Sequence, residues 1–161
     1  MQQPLIISGS ARELSHTNDF LNEVFTGRQI DLIHLLEYNI APYDYSGNYG
    51  ENDDFFRIAE KLLQHNIIVF ATPVYWYAMS GLMKIFFDRF TDLVTIKKQM
   101  GRQLKGKSTF LIAVGADQTI PEGFEVPFKR TSDYLEMHYQ GFLYHATKYP
   151  QATGAQQKEI K

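Results

Sequence analysis

Five short apolar runs separated by stretches of helical period constrain this chain more than anything else in it. PLIIS (4–8), QIDLIHL (29–35), NIIVFAT (66–72), STFLIAV (108–114) and GFLYHAT (141–147) are rich in β-branched, aliphatic and aromatic residues and are long enough only for strands. Between them, TNDFLNEVF (17–25) sets Phe20, Leu21, Val24 and Phe25 on one side of a helix. DDFFRIAEKLLQH (53–65) does the same with Phe55, Ile58, Ala59 and Leu62. SGLMKIFFDRFTDLV (80–94) repeats Leu82, Ile85, Phe86, Phe90 and Leu93, and FEVPFKRTSDYLEM (124–137) is helical with Pro127 in its first turn. Regular alternation of strand and helix predicts an α/β fold, a parallel sheet with helices on both faces. The near-continuous apolar third and fourth runs belong at its centre. No repeat or linker interrupts the pattern, so residues 1–161 read as a single domain large enough to bury a real core.

Composition removes whole classes of function. Sixteen Lys and Arg against eighteen Asp and Glu leave a formal charge of −2, which offers nucleic acid no basic surface. With no cysteine there is no disulfide, thiolate metal site, iron–sulfur cluster or Cys nucleophile. No apolar run approaches the roughly 18 residues that span a bilayer, and no secretory core follows the N-terminus. The expectation is a soluble cytoplasmic protein with neither membrane nor nucleic-acid partner. His16, His34, His65, His138 and His145 show no metal-ligand spacing, so no metal site is expected. Asp53 and Asp54 read as the opening of a helix, and Lys84 with Asp88 as a solvated i, i+4 pair.

In an open α/β sheet, ligands sit beyond the carboxyl ends of the strands, so the loops there carry the functional question. SGSARELSHT (8–17) leads from the first strand into a helix, where free N–H groups and the helix dipole favour an anion. Gly9 permits close approach, Ser10, Ser15 and Thr17 add hydroxyls, His16 adds a backbone N–H, and Arg12 adds a charge suited to phosphate. The loop lacks the Lys of a Walker A motif and the glycines of a dinucleotide fingerprint, and it suits a terminal monophosphate. The alternative reading is that Ser15 or Thr17 merely caps the helix.

ATPVYWYAMSG (71–81) follows the third strand, which Pro73 should end, and brings Tyr75, Trp76 and Tyr77 together. Such rings can stack on a flat aromatic ligand or pack into core or subunit contacts. After the fourth strand, Gly115 would let a ligand ring lie against the backbone.

Together these loops resemble the NAD(P)H-dependent FMN reductase family of flavodoxin-like proteins, which includes quinone and azo-dye reductases. The resemblance rests on Gly9, Ser10, Arg12, Ser15 and Thr17, and on Pro73 to Tyr75 followed by Gly81, Lys84, Asp88 and Arg89. It implies a doubly wound, five-stranded parallel sheet in the order 2-1-3-4-5 and one non-covalent FMN. The first loop would hold the phosphate; Pro73, Val74, Tyr75, Trp76 and Gly115 would border the ring. It further implies hydride transfer from NAD(P)H, as co-substrate, to a small acceptor (quinone, azo or nitro compound, free flavin) by a ping-pong mechanism. No catalytic protein residue is expected, because the flavin carries the chemistry. A homodimer is expected, with Tyr75 to Tyr77 near both the ring and the subunit contact. Two other readings share the fold: a flavodoxin-type electron carrier, whose usual strong acidity the charge of −2 does not match, and a non-enzymatic FMN-binding module. One departure stands out. KYPQATGAQQKEIK (148–161) contains Pro150 and Gly154, so the closing helix of the family should be short, leaving one sheet face open to a partner subunit.

Overall fold

The computed structural model describes residues 3–149 and the backbone of 154–157. Each apolar run becomes a strand: β1 (Leu5–Ser8), β2 (Asp31–His34), β3 (Ile67–Tyr75), β5 (Ser108–Gly115) and β6 (His138–Ala146). These five are parallel and lie in the order β2-β1-β3-β5-β6, which is the order the resemblance implied. A short β4 (Ala78–Met79) folds back on β3, and β7 (Gly154–Gln157) pairs antiparallel with β6. Where a short closing helix was expected, 154–157 therefore extend the sheet; the remainder of that segment past 149 lies outside the described residues.

Alternation along the strands sorts the core onto two faces. Leu5, Ile7, Ile68, Phe70, Leu111 and Ala113 point to one side. There they meet α2 (Phe55–Gln64), α3 (Gly81–Asp88), α4 (Phe90–Thr95) and α6 (Val126–Tyr134). Ile6, Val69, Ala71, Ile112 and Val114 point to the other, where α1 (His16–Val24) supplies Phe20 and Leu21. Helices thus cover both faces, α1 being the one that covers the second among the described residues. Toward β6 that face leaves Phe110 and Leu143 half-buried, and His145 stacks on Phe20 with its Nδ1 buried and unpaired.

Three local expectations shift. The helix over 80–94 breaks at Arg89 into α3 and α4, and its buried stripe runs through Met83, Phe86, Phe87, Phe90 and Leu93 in place of Leu82 and Ile85. A further helix, α5 (Lys98–Arg102), packs so closely on α4 that a Cβ at Gly101 would stand 2.2 Å from the Leu93 carbonyl oxygen. The third strand does not end at Pro73. Ala71 accepts the Gly9 N–H on the β1 side, so the Pro73 nitrogen, two residues on, faces the same side. The pairing with β1 stops at Ser8 and Ala71, and the missing N–H deletes no ladder bond.

Candidate functional site

The loops that follow β1, β3 and β5 meet at the carboxyl edge of the sheet. The first is held by its own hydroxyls. Ser10 Oγ lies 2.9 Å from both the Arg12 carbonyl oxygen and Ser15 Oγ, and Ser15 Oγ accepts the Asn18 N–H as the N-cap of α1. Asn18 also donates from its amide to the Glu13 carbonyl, 2.7 Å away. The capping reading therefore holds for Ser15, while Thr17 is buried in the first turn without a protein partner for its hydroxyl among the described residues.

Capping does not account for the rest of the loop. The N–H groups of residues 11 to 17 find no protein acceptor among the described residues. Arg12 and His16 are exposed, and the Arg12 guanidinium has no ion-pair or hydrogen-bond partner among those residues. A run of N–H donors without acceptors at a helix N-terminus, with an unengaged guanidinium beside it, is a donor set of the kind that suits an anion.

After Pro73, β3 continues through Val74 and Tyr75 and returns as β4, with Val74 opposite Met79 and Tyr75 opposite Ala78. The two residues between, Trp76 and Tyr77, have φ of 49° and 65°. This is a two-residue hairpin turn of the kind that asks for left-handed backbone at both central positions, usually supplied by Asn or Gly. Bulky side chains there carry strain on the order of 1 kcal/mol or more each. The strained tip is also the exposed one: Trp76 is 93% and Tyr77 70% accessible, against 46% for Tyr75. Pro73 is buried and Val74 half-buried, so those two hold the turn while the rings project.

A buried polar knot locks these two loops together. Ser80 caps α3 by accepting the Met83 N–H, and its hydroxyl donates to the Gly9 carbonyl at 2.6 Å. The Ser80 N–H donates to Thr72 Oγ1. Gly9 is required by this contact, since a Cβ there would come within 2.8 Å of Ser80 Oγ and 2.9 Å of Met83 Cβ. Neither Thr72 nor Ser80 stood out in the sequence as more than a strand end and a helix opening.

Gly115 is explained by packing. A Cβ at that position would lie 2.6 Å from Tyr144 Oη and 3.2 Å from Val74 Cβ, which leaves only its backbone to offer a ligand. Tyr144 in turn donates to the Asp117 carbonyl and fixes the start of the third loop.

The segment between β2 and α2 is pinned by a cluster that the sequence reading did not find. Arg89, fully buried, donates through Nη1 and Nη2 to both Asp53 oxygens at 2.7 and 3.0 Å, through Nη1 to the Ala41 carbonyl, and through Nε to Asp92 at 2.6 Å. The Tyr49 ring lies 3.4 Å from the guanidinium carbon, and its hydroxyl donates to Asp92. Burial alone would raise the Asp53 pKa, but the Arg89 hydrogen bonds and the Ala41 and Phe55 N–H groups hold it below the ordinary carboxylate value. Asp53 is thus a buried partner of Arg89 as well as the opening of a helix. The available signal was an arginine between Phe86 and Leu93, at core spacing. Lys84 and Asp88 form the exposed pair expected of them, 2.6 Å apart.

Comparisons with known proteins bear on the family and the fold. A family profile described as NADPH-dependent FMN reductase matches residues 4–122. YwqN of Bacillus subtilis (strain 168), which is named as an NAD(P)H-dependent FMN-containing oxidoreductase, is 29% identical over 147 residues, covering 86% of this chain and 81% of its own. Among solved structures, the Trp repressor binding protein of Bacillus subtilis superposes with a TM-score of 0.73 at 24% identity, covering 92% of this chain and 86% of that one. An FMN-dependent NADH-azoreductase from Bacillus anthracis, solved in complex with FMN, superposes with a TM-score of 0.63 at 14% identity, covering 89% and 86%. At such identities the two structural likenesses speak for the fold.

Proposed function

Because this chain belongs to the NADPH-dependent FMN reductase family, whose members work with FMN and NAD(P)H, we propose that it reduces a small flat acceptor. A quinone, an azo or nitro compound, or free flavin is the class we have in mind. FMN, when bound, supplies a ring nitrogen that takes up and gives out hydride, so this reading asks for no protein nucleophile or general base. The observation that carries the proposal is the row of N–H groups at 11 to 17 beside the unpaired Arg12, a donor set that fits a terminal phosphate.

In this reading Arg12 and the N–H groups of His16 and Thr17 hold the phosphate, and Ser10 and Ser15 keep the loop in shape. Pro73, Val74, Tyr75, Trp76 and the Gly115 backbone border the ring, and Trp76 and Tyr77 present flat faces to donor or acceptor. A single open side would make the two substrates take turns, so double-reciprocal plots at several acceptor concentrations should be parallel; intersecting lines would overturn a shared site. The proposal also has the protein act in the cytoplasm, where nicotinamide is supplied, as a homodimer that covers part of the exposed Trp76–Tyr77 tip. A monomer by light scattering across a wide concentration range would overturn the dimer.

The decisive experiment is an absorbance spectrum of the purified protein. It should be yellow and release FMN, not FAD, on denaturation, and a colourless protein that cannot be reconstituted with FMN would end this reading. If NADH and NADPH both fail to bleach the colour while a one-electron donor succeeds, the protein is an electron carrier.

A further inference from the structure

A second depression lies away from the carboxyl edge, between α4–α5 and α6. Its helices lead into the amino ends of β5 and β6, so it sits toward the opposite end of the sheet from the donor set around Arg12. One part, of about 250 Å³, adjoins another of about 400 Å³; Val94, Tyr134 and Leu135 line both. The floor is apolar: Phe90 and Val94 repeat on α4, and Leu135 closes it from the end of α6. Volumes of this size are typical of sites for small organic molecules.

The rim is cationic. Lys98 and Arg102 are four residues apart on α5 and share a face, and Arg130 and Tyr134 do the same on α6. The side chains of Lys98, Arg102 and Arg130 have no hydrogen-bond or ion-pair partner among the described residues, whereas Lys105 beside them is matched by Glu136 at 2.6 Å. Three unpaired cations around one apolar groove, in a chain whose formal charge is −2, make a local field that attracts anions. Tyr134 lines both parts of the groove and is 74% exposed.

We propose that this groove binds an amphiphilic organic anion, with a flat apolar body about the size of naphthalene and one sulfonate or carboxylate. The body would lie on Phe90, Val94 and Leu135 against the Tyr134 ring, with the anionic group among Lys98, Arg102 and Arg130. A second copy of this chain meeting the groove about a two-fold axis would bring the cations against one another, so charge favours the small anion. The inference does not rest on the flavin reading.

Calorimetric titration of 8-anilinonaphthalene-1-sulfonate into the purified protein, without added FMN and then with FMN in excess, tests it. One site is expected, and the uncharged analogue N-phenyl-1-naphthylamine should bind at least about tenfold more weakly, as expected for loss of a charged hydrogen-bonding group. The double variant Lys98→Glu/Arg130→Glu should weaken the sulfonate by at least about tenfold while leaving FMN content, circular dichroism and light-scattering mass unchanged. Equal binding of the two probes, indifference to charge reversal, or competition with FMN would each overturn the proposal. A fall in mass on charge reversal would do so too, by showing the groove to be a subunit contact.

Discussion

Arg12 stands on the rim of the carboxyl edge, exposed and with its guanidinium unpartnered among the described residues, whereas Arg89 is fully buried with its Nε, Nη1 and Nη2 all engaged. Around Arg12 the loop satisfies the Ser10 and Ser15 hydroxyls locally and leaves the N–H groups of residues 11 to 17 without a protein acceptor among the described residues. Around Arg89 two carboxylates, a carbonyl and two aromatic rings close on every side. The two regions show what distinguishes an arginine that the fold consumes from one that it leaves unengaged. The first has four of its five N–H donors engaged, and the second has none engaged among the described residues.

The largest expected break in that contrast is Arg89→Met. It leaves Asp53 and Asp92 buried opposite no cation, and loss of one partner of a buried ion pair removes about 3–5 kcal/mol of stability. Denaturant unfolding should show it, and a change below about 1 kcal/mol would mean the cluster relaxes easily. Arg12→Ala should do the reverse, leaving stability unchanged and weakening FMN binding by about 1.5–3 kcal/mol, the range for a hydrogen bond to a charged group. Riboflavin, which lacks the phosphate, should lose little affinity. Equal losses for both ligands would make Arg12 a structural residue like Arg89.

The hairpin tip allows a third comparison. Replacing Trp76 by Asn and Tyr77 by Gly supplies residues that accept left-handed backbone and should raise stability by about 1 kcal/mol. The same change should raise KM for a quinone acceptor if the exposed rings contact it. Unchanged stability would show that the knot of Thr72, Ser80 and Gly9 absorbs the turn without strain.

The smallest expected effect is acid sensitivity. The folded pKa of Asp53 lies below its ordinary value of 3.8, so its stabilising contribution is present above that value and is lost as the pH falls through the lowered one. In Arg89→Met the burial that raises the Asp53 pKa would be opposed only by the Ala41 and Phe55 N–H groups. The destabilisation of that variant should therefore shrink between pH 7 and pH 4. Parallel stability curves for the two proteins across that range would remove Asp53 from the account.

Local pattern carried much of this protein. The five strands and their neighbouring helices followed from apolar period, Pro127 fell in the first turn of α6, Ser15 became a cap, and Lys84 found Asp88 one turn away. Each of these depends on residues within about one or two turns of each other, and such spacing is written directly in the chain. Other features depend on partners far along it. That β3 runs on past Pro73 depends on β1 stopping at Ser8, and that Gly115 must be glycine depends on Tyr144 from the neighbouring strand. The left-handed turn at Trp76 and Tyr77 follows from β4 pairing back on β3, against the preferences of its own residues. The break at Arg89 coincides with a pairing to Asp53 across 36 positions, and the join between the two site loops runs from Ser80 to Gly9 across 71. The sequence by itself determined the five parallel strands, the helices between them, and the cap that Ser15 makes on the first. Only the tertiary structure decided which arginine was spent on the fold, because burial and the geometry of distant partners exist only once the layers have packed.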